Sequence, residues 1–108
     1  MNAFFYSLEG FGAAWKHEDA FRQESILALI MIPLAFVFAD AALERAMMIA
    51  SVLLVLIVEL VNSAIEATVD RISLENHQLA KRAKDIGSAA VLIALINVLV
   101  VWGFVLLG

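Results

Sequence analysis

Three long apolar runs dominate the hydrophobic pattern of the chain. The first covers residues 26–39 and gains flanking apolar residues back to position 20, the second covers residues 41–69, and the third covers residues 89–107. A helix that spans a bilayer needs about 20 consecutive, mostly apolar residues. Each run meets that length with its flanks, and Pro33 in the first is tolerated in a membrane helix. The pattern therefore predicts three transmembrane helices.

An amphipathic segment precedes the first span. Phe4, Leu8, Phe11 and Trp15 recur at helical spacing and form one apolar stripe. A helix with such a stripe can lie in the membrane interface. We predict an N-terminal interfacial amphipathic helix here, with a frayed N-terminal tail as the alternative, because two glycines weaken the helix.

The composition agrees with a membrane protein. Of the 108 residues, 64% are hydrophobic, against about 45–50% in a soluble domain. We therefore expect one all-α, membrane-embedded domain over residues 1–108. The formal net charge of -4 argues against a nucleic-acid partner, since binding phosphates needs a basic surface. Cysteine is absent, which excludes disulfides, thiolate metal sites and a cysteine nucleophile.

The basic residues predict how the spans are oriented. Six of the seven lie before the first span or between the second and third: Lys16, Arg22, Arg71, Lys81, Arg82 and Lys84. The turn between the first two spans contains only Arg45. Because short cytoplasmic segments carry the excess of Lys and Arg, we predict a multi-pass membrane protein with a cytoplasmic N-terminus.

A row of polar residues interrupts the second apolar run. Glu59, Asn62, Glu66 and Asp70 are separated by three, four and four residues, which places them on one stripe of a helix. Carboxylates near the edge of the bilayer should face a partner, an ion or a wet cavity. Polar contacts between helices are the alternative interpretation.

Carboxylates also suggest a metal site. Mg²⁺ is usually held by one or two carboxylates together with substrate phosphates. Glu18 and Glu66 are both predicted at the cytoplasmic edge, so they could share one ion if the N-terminal segment folds against the second span; a solvated Glu18 is the alternative.

The second loop ends in a basic stretch at residues 81–88. This stretch either binds phosphate or enforces the topology of the spans.

Three blocks of sequence resemble one known family. AAWKHEDAFRQE at residues 13–24, VELVNSAIEA at residues 58–67 and AKDIGSAAV at residues 83–91 are similar to the small prokaryotic integral-membrane diacylglycerol kinases. The similarity extends from about Tyr6 to the C-terminus. The chain is therefore identified as a member of that family.

The resemblance implies an activity, an assembly and a set of site residues. It implies a homotrimer of three-span subunits that transfers the γ-phosphoryl group of MgATP to the hydroxyl of diacylglycerol, giving phosphatidic acid. By motif position Glu59 matches the general base, and Asn62 matches its neighbour in the same block. Glu18 and Glu66 match the metal-binding acids, which also contact nucleotide. The other positions that match nucleotide contacts are Tyr6, Glu75, His77, Lys84 and Asp85. The positions that match the lipid site, beside Glu59, are Trp15, Phe21, Arg22, Gln23, Glu24, Ser88 and Trp102.

The chain departs from the family at two positions and leaves alternatives open. Glu9 and Gly12 occupy positions where the family commonly carries Lys and Arg, which bears on nucleotide affinity. A related branch phosphorylates undecaprenol, so that lipid is the alternative acceptor. The alternative from another class is a small oligomeric transporter or proton channel, in which the acidic stripe relays protons.

Overall fold

The structure is a computed structural model that describes residues 2–72 and 77–108, apart from the side chains of Ile72 and His77. Over these residues the chain forms four α-helices and no strand: α1 (Asn2–His17), α2 (Asp19–Phe38), α3 (Ala42–Ile72) and α4 (His77–Leu107). The all-α fold predicted from the sequence is confirmed.

The three helices α2, α3 and α4 are long and apolar enough to cross a membrane, as predicted. With 20 residues, α2 is about 30 Å long, which just matches the hydrocarbon core of a bilayer. With 31 residues each, α3 and α4 are about 46 Å long and extend well beyond that thickness. Of the three helices, only α2 has no residues beyond those needed to cross the hydrocarbon core.

The start of α4 differs from the sequence prediction. The basic stretch 81–88 was expected to be loop leading into the third span, but α4 already begins at His77 and includes all of it. Lys, Arg and Ala are good helix formers outside the membrane as well as within it. The apolar run therefore marked the part of α4 that is suited to the bilayer, and not the helix boundary.

The amphipathic N-terminal segment is helical, and it is joined to α2 through a single residue. Glu18 has an extended backbone, with φ -118° and ψ 107°, between the end of α1 at His17 and the start of α2. Arg22 closes this junction, because its Nη1 donates hydrogen bonds to the carbonyl oxygens of Trp15 at 2.7 Å and Lys16 at 3.2 Å. Arg22 also forms an ion pair with Asp19. These contacts hold the end of α1 against the start of α2, with Glu18 between the two helices.

Small residues let α2 approach the other two spans. The buried cluster combines alanines of α2 with larger side chains of α3 and α4: Ala28, Ala35, Ala39, Met48, Val52 and Trp102. Within it, the indole Nε1 of Trp102 donates to the carbonyl oxygen of Met48 and to Oγ of Ser51, each at 3.2 Å. Ser51 Oγ in turn donates to the same carbonyl at 2.7 Å. These bonds connect α3 to α4 at the end of the bundle opposite α1.

Candidate active site

The polar stripe predicted on the second span lies on α3, and its burial changes steadily along the helix. Glu59 is 4% exposed and Asn62 is 8% exposed, whereas Glu66 is half-buried and Asp70 is exposed. All four side chains share one face because α3 runs without interruption from Ala42 to Ile72. The stripe thus leads from the surface to a buried carboxyl group.

Three carboxyl groups from three parts of the chain act on Glu59, the buried end of the stripe. The side chain of Glu24, on α2, lies beside Glu59. The charges of Glu18, at the α1–α2 junction, and of Glu66, on α3, also act on Glu59. The sequence predicted that Glu18 and Glu66 could share one ion only if the N-terminal segment folds against the second span. In the structure a cavity lies between α1 and α3, and the shared ion stays a prediction.

Three polar atoms in this region are buried without a partner among the described residues, and one of them is Oγ of Ser63. No donor among the described residues reaches Oε2 of Glu24 or Oδ1 of Asn62. A buried polar atom without a hydrogen bond costs about 1–3 kcal/mol. Native folds seldom keep such atoms unless they serve a ligand or a reaction. The cluster therefore costs stability, which is typical of a site that binds or reacts.

A cavity lies between α1 and α3 beside this cluster. It has a volume of about 520 Å³ and is lined mostly by small and apolar residues, with polar groups from Ser7, His17, Glu18 and Ser63. Volumes of about 300–1,000 Å³ are usual for small-molecule sites. A second, smaller cavity of about 60 Å³ lies between the three spans and has Glu24 as its charged wall residue. Glu18 therefore lines one cavity beside the acid cluster, and Glu24 lines the other.

The helix α4 packs against the polar stripe of α3. Gly87 of α4 is buried against the side chain of Asn62, so closely that a Cβ atom at Gly87 would overlap Asn62 Oδ1. Toward the start of α4, Nζ of Lys84 forms an ion pair of 2.6 Å with Oδ1 of Asp70 on α3. Both contacts lie where α4 packs against the polar stripe of α3.

The donor set suits a hard divalent cation that arrives with its substrate. Among the described residues, no group of three or more His, Asp or Glu side chains is arranged to hold a metal ion alone. Mg²⁺ does not require one, since it usually takes one or two carboxylates and completes its shell with phosphate oxygens and water. Glu18 and Glu66 supply carboxylates of that kind, and the charges of both act on Glu59. A metal site shared by the two stays a prediction.

The predicted nucleotide residues are spread over several elements. Tyr6 is exposed on α1. Lys84 faces α3 through its ion pair with Asp70, while Asp85 pairs at 2.6 Å with Lys81 of its own helix. Glu75 and the side chain of His77 lie outside the described residues. Their nucleotide roles stay predictions.

The predicted lipid residues are also divided. Phe21 is buried, Arg22 is occupied at the α1–α2 junction, and Glu24 faces Glu59. Trp102 is hydrogen-bonded to Ser51, eight residues or about 12 Å along α3 from Glu59. The remaining members of the set are exposed side chains, namely Trp15, Gln23 and Ser88. Of these seven, Glu24 is the one that the structure brings to the acid cluster, and the lipid roles of all seven stay predictions.

The residue pattern did not predict a role for Gly87, and a site role for Glu24 was predicted only from the family resemblance. Gly87 carried a usable signal, because a glycine inside a helix costs about 1 kcal/mol relative to alanine and so suggests close packing. Glu24 carried none, since only the tertiary packing of α2 on α3 brings it to Glu59.

Comparison with known proteins agrees with the predicted family. The family model described as prokaryotic diacylglycerol kinase matches residues 5–106. A diacylglycerol kinase of Pseudomonas aeruginosa is 57% identical over 108 residues, which cover 100% of this chain and 88% of that protein. The diacylglycerol kinase of Haemophilus influenzae is 53% identical over 98% of this chain and 90% of its own length. One from Helicobacter pylori is 50% identical over 100% of this chain and 84% of its own.

These matches also decide between the classes of function left open by the sequence. Each relative is named as a kinase, and none of the three is named as a transporter or channel. The resemblance inferred from the three sequence blocks is thereby confirmed. The chain belongs to the prokaryotic diacylglycerol kinase family and is a membrane protein of the kinase class.

Proposed function

We propose that this kinase transfers the γ-phosphoryl group of MgATP to the free hydroxyl of diacylglycerol, giving phosphatidic acid. The observation that carries this proposal is the cluster of Glu18, Glu24, Glu59 and Glu66, in which Glu59 is 4% exposed. Phosphoryl transfer requires mainly the positioning of its reactants and the stabilisation of charge. Carboxylates at the end of a membrane helix can meet a lipid hydroxyl without removing the lipid from the bilayer.

In this proposal Glu59 is the general base. Its carboxylate accepts the proton of the acceptor hydroxyl as the oxygen attacks phosphorus. The bond from the γ-phosphorus to ADP then breaks, and ADP leaves. Burial holds the Glu59 side chain in place, and Asn62, one turn further along α3, fixes the neighbouring part of the site. General-base catalysis typically contributes about 10²- to 10⁴-fold in rate.

Glu18 and Glu66 would hold the Mg²⁺ that accompanies ATP. When bound, this ion supplies positive charge to the phosphate oxygens on which negative charge develops. Glu18 and Glu66 orient the nucleotide through their carboxylate oxygens. Glu59 lies seven residues from Glu66, about 10 Å along the helix axis. The base and this metal ligand therefore have separate tasks.

Both substrates approach the acid cluster from different directions in this proposal. The nucleotide contacts Tyr6, Glu75, His77, Lys84 and Asp85. Lys84 has to exchange its ion pair with Asp70 for a phosphate oxygen. The lipid lies toward the spans, and the cavity of about 520 Å³ beside Glu18 offers an apolar wall for its glycerol and upper acyl groups.

The enzyme is proposed to work as a homotrimer in the bacterial inner membrane, with its N-terminus in the cytoplasm. Large apolar side chains of α2 and α4 are exposed on the single chain, among them Leu29, Val37, Leu99 and Phe104. Such faces suit contact with lipid or with another subunit. Native mass spectrometry in detergent should give three copies, and a monomer that retains full specific activity would contradict the trimer.

The reaction is tested with purified protein in mixed micelles, using ATP labelled in the γ-phosphate, Mg²⁺, and either diacylglycerol or undecaprenol. We expect labelled phosphatidic acid. Label in undecaprenyl phosphate alone would assign the alternative acceptor, and label in neither lipid would refute the proposal.

Two substitutions separate the roles within the site. Glu59→Gln should keep MgATP affinity near that of the parent and lose turnover by about 10²-fold or more. Glu66→Gln should lose MgATP affinity as well, because an amide is a poorer ligand for a hard cation than a carboxylate. Glu44→Gln makes the same chemical change near the other end of α3, outside the acid cluster, and serves as the matched control. Equal MgATP affinity in the Glu66→Gln variant and the parent would remove Glu66 from the metal site.

A further inference from the structure

At Gly87 of α4, the space that a side chain would occupy is filled by Asn62, a residue of the proposed site. A Cβ atom placed there would overlap Oδ1 of Asn62 and lie 3.2 Å from its Cγ atom. Gly103, the other glycine of α4, has no such neighbour within 4 Å. Glycine lowers helix stability relative to alanine. The glycine at position 87 is therefore explained by the side chain of Asn62 and not by the needs of α4.

Contacts between α4 and α3 oppose a shift of α4 that would admit a larger residue. On one side of Gly87, Lys84 is paired with Asp70 at 2.6 Å. On the other side, Trp102 donates hydrogen bonds to Ser51 and to the Met48 carbonyl at 3.2 Å. Both contacts connect α4 to α3. An added methyl group at position 87 would thus be relieved by displacing the Asn62 amide.

Displacement of that amide would disturb the acid cluster. Asn62 lies three residues after Glu59 and four before Glu66, on the same face of α3. Its Oδ1 has no hydrogen-bond partner among the described residues, so packing against Gly87 is what holds it. A rotated Asn62 side chain would move toward one of the two glutamates.

We propose that Gly87 is a positioning residue of the kinase, whose missing side chain provides the space that holds the Asn62 amide between Glu59 and Glu66. This inference rests on the role of Asn62 in the proposed function. Gly87 touches no reacting atom. It acts through Asn62 alone, so its effect should vanish when the Asn62 amide is absent.

The test is a comparison of Gly87→Ala in two backgrounds. In the parent, Gly87→Ala should lower kcat by about 10²-fold, the order expected when a catalytic group is misplaced by about 1 Å. In an Asn62→Ala background the same change should lower kcat by less than about twofold, since the methyl group then has room. Gly103→Ala is the matched control on α4 and should stay within about twofold of the parent.

Each other result contradicts the inference in a recognisable way. Equal losses in both backgrounds would mean that Gly87 supports the fold and not Asn62. A Gly87→Ala enzyme as active as Gly103→Ala would mean that the space is not needed. An Asn62→Ala enzyme with parental activity would refute the role of Asn62, while the Glu59 and Glu66 variants still test the kinase reaction separately.

A folding measurement covers the case in which Gly87→Ala alone does not fold. The double variant Asn62→Ala/Gly87→Ala should then fold and elute as the parent does, because removing the amide removes the overlap. If the double variant also fails to fold while Asn62→Ala folds, Asn62 does not fill the space and the inference is wrong.

Discussion

Replacing Trp102 by phenylalanine should weaken the end of the bundle that lies away from the acid cluster. The indole N–H is a single donor that reaches two acceptors on α3, the Met48 carbonyl oxygen and Ser51 Oγ, each at 3.2 Å. Trp102 is only 8% exposed, so no solvent molecule can replace the lost donor. The change keeps an aromatic ring but removes the two hydrogen bonds by which Trp102 connects α4 to α3.

The expected loss has two contributions. Hydrogen bonds between helices in membranes contribute about 0.6 kcal/mol on average and about 1.7 kcal/mol at most. The smaller ring adds about 1 kcal/mol, by comparison with core substitutions that remove one or two methyl-sized groups. Ser51→Ala should cost only about 0.5 kcal/mol, because the indole still donates to the Met48 carbonyl. Trp102→Phe should therefore lower the free energy of unfolding by about 1.5–2 kcal/mol.

The assay is unfolding by dodecyl sulfate in mixed micelles, followed by far-ultraviolet circular dichroism. The parent, Trp102→Phe, Ser51→Ala and the double variant form a complete double-mutant cycle, which isolates the interaction of the two side chains. We expect a coupling free energy of about 0.6 kcal/mol. Trp15→Phe is the control, since Trp15 is 47% exposed and should change stability by less than about 0.5 kcal/mol. A coupling near zero, with Trp102→Phe no more destabilising than Trp15→Phe, would refute the reasoning.

Three further predictions address the metal, the topology and the α1–α2 junction. Chelation of Mg²⁺ by EDTA should stop phosphoryl transfer and added Mg²⁺ should restore it, whereas turnover at the parental rate in EDTA would rule out the metal. In intact cells a membrane-impermeant thiol reagent should label a cysteine placed at Ala42 and spare one placed at Lys81, without background because the chain has no cysteine; the reverse pattern would invert the topology. Arg22→Gln removes the guanidinium group from the Trp15 carbonyl oxygen, so hydrogen exchange should accelerate in the last turn of α1 and not in α4, and unchanged exchange in α1 would contradict the capping role.

The membrane architecture could be predicted because it depends on properties that a single stretch of sequence carries. About 20 apolar residues in succession are enough to mark a span, and the stripe that includes Glu59 and Glu66 follows from helical geometry alone. The start of α4 could not be found in this way. Residues 77–88 are mostly polar but belong to α4. The length of an apolar run does not indicate how far a helix continues outside the bilayer.

The candidate site was predictable only in part, because it is assembled from several helices. The spacing of Glu59, Asn62 and Glu66 placed them together from one helix. The arrival of Glu24 beside Glu59 depends on how α2 packs against α3 through its alanines. The contact between Asn62 and Gly87 depends on the distance between two helix axes. No local sequence pattern predicts the distance between two helix axes, although a glycine inside a helix indicates that a neighbour packs closely there.

The single-residue junction at Glu18 makes the proposed metal site sensitive to the thickness of the surrounding membrane. The helix α2 has 20 residues and no excess length, so in a thinner or thicker bilayer it must tilt or stretch the lipid around it. Glu18 is the N-cap residue of this helix and its carbonyl oxygen accepts a hydrogen bond from the Arg22 backbone N–H. Glu66 belongs to α3, whose 31 residues leave excess length at the surface. Hydrophobic mismatch therefore acts unequally on the two carboxylates and changes their separation. If Glu18 and Glu66 hold the metal as proposed, the acyl-chain length of the host membrane would affect nucleotide binding without any regulatory ligand.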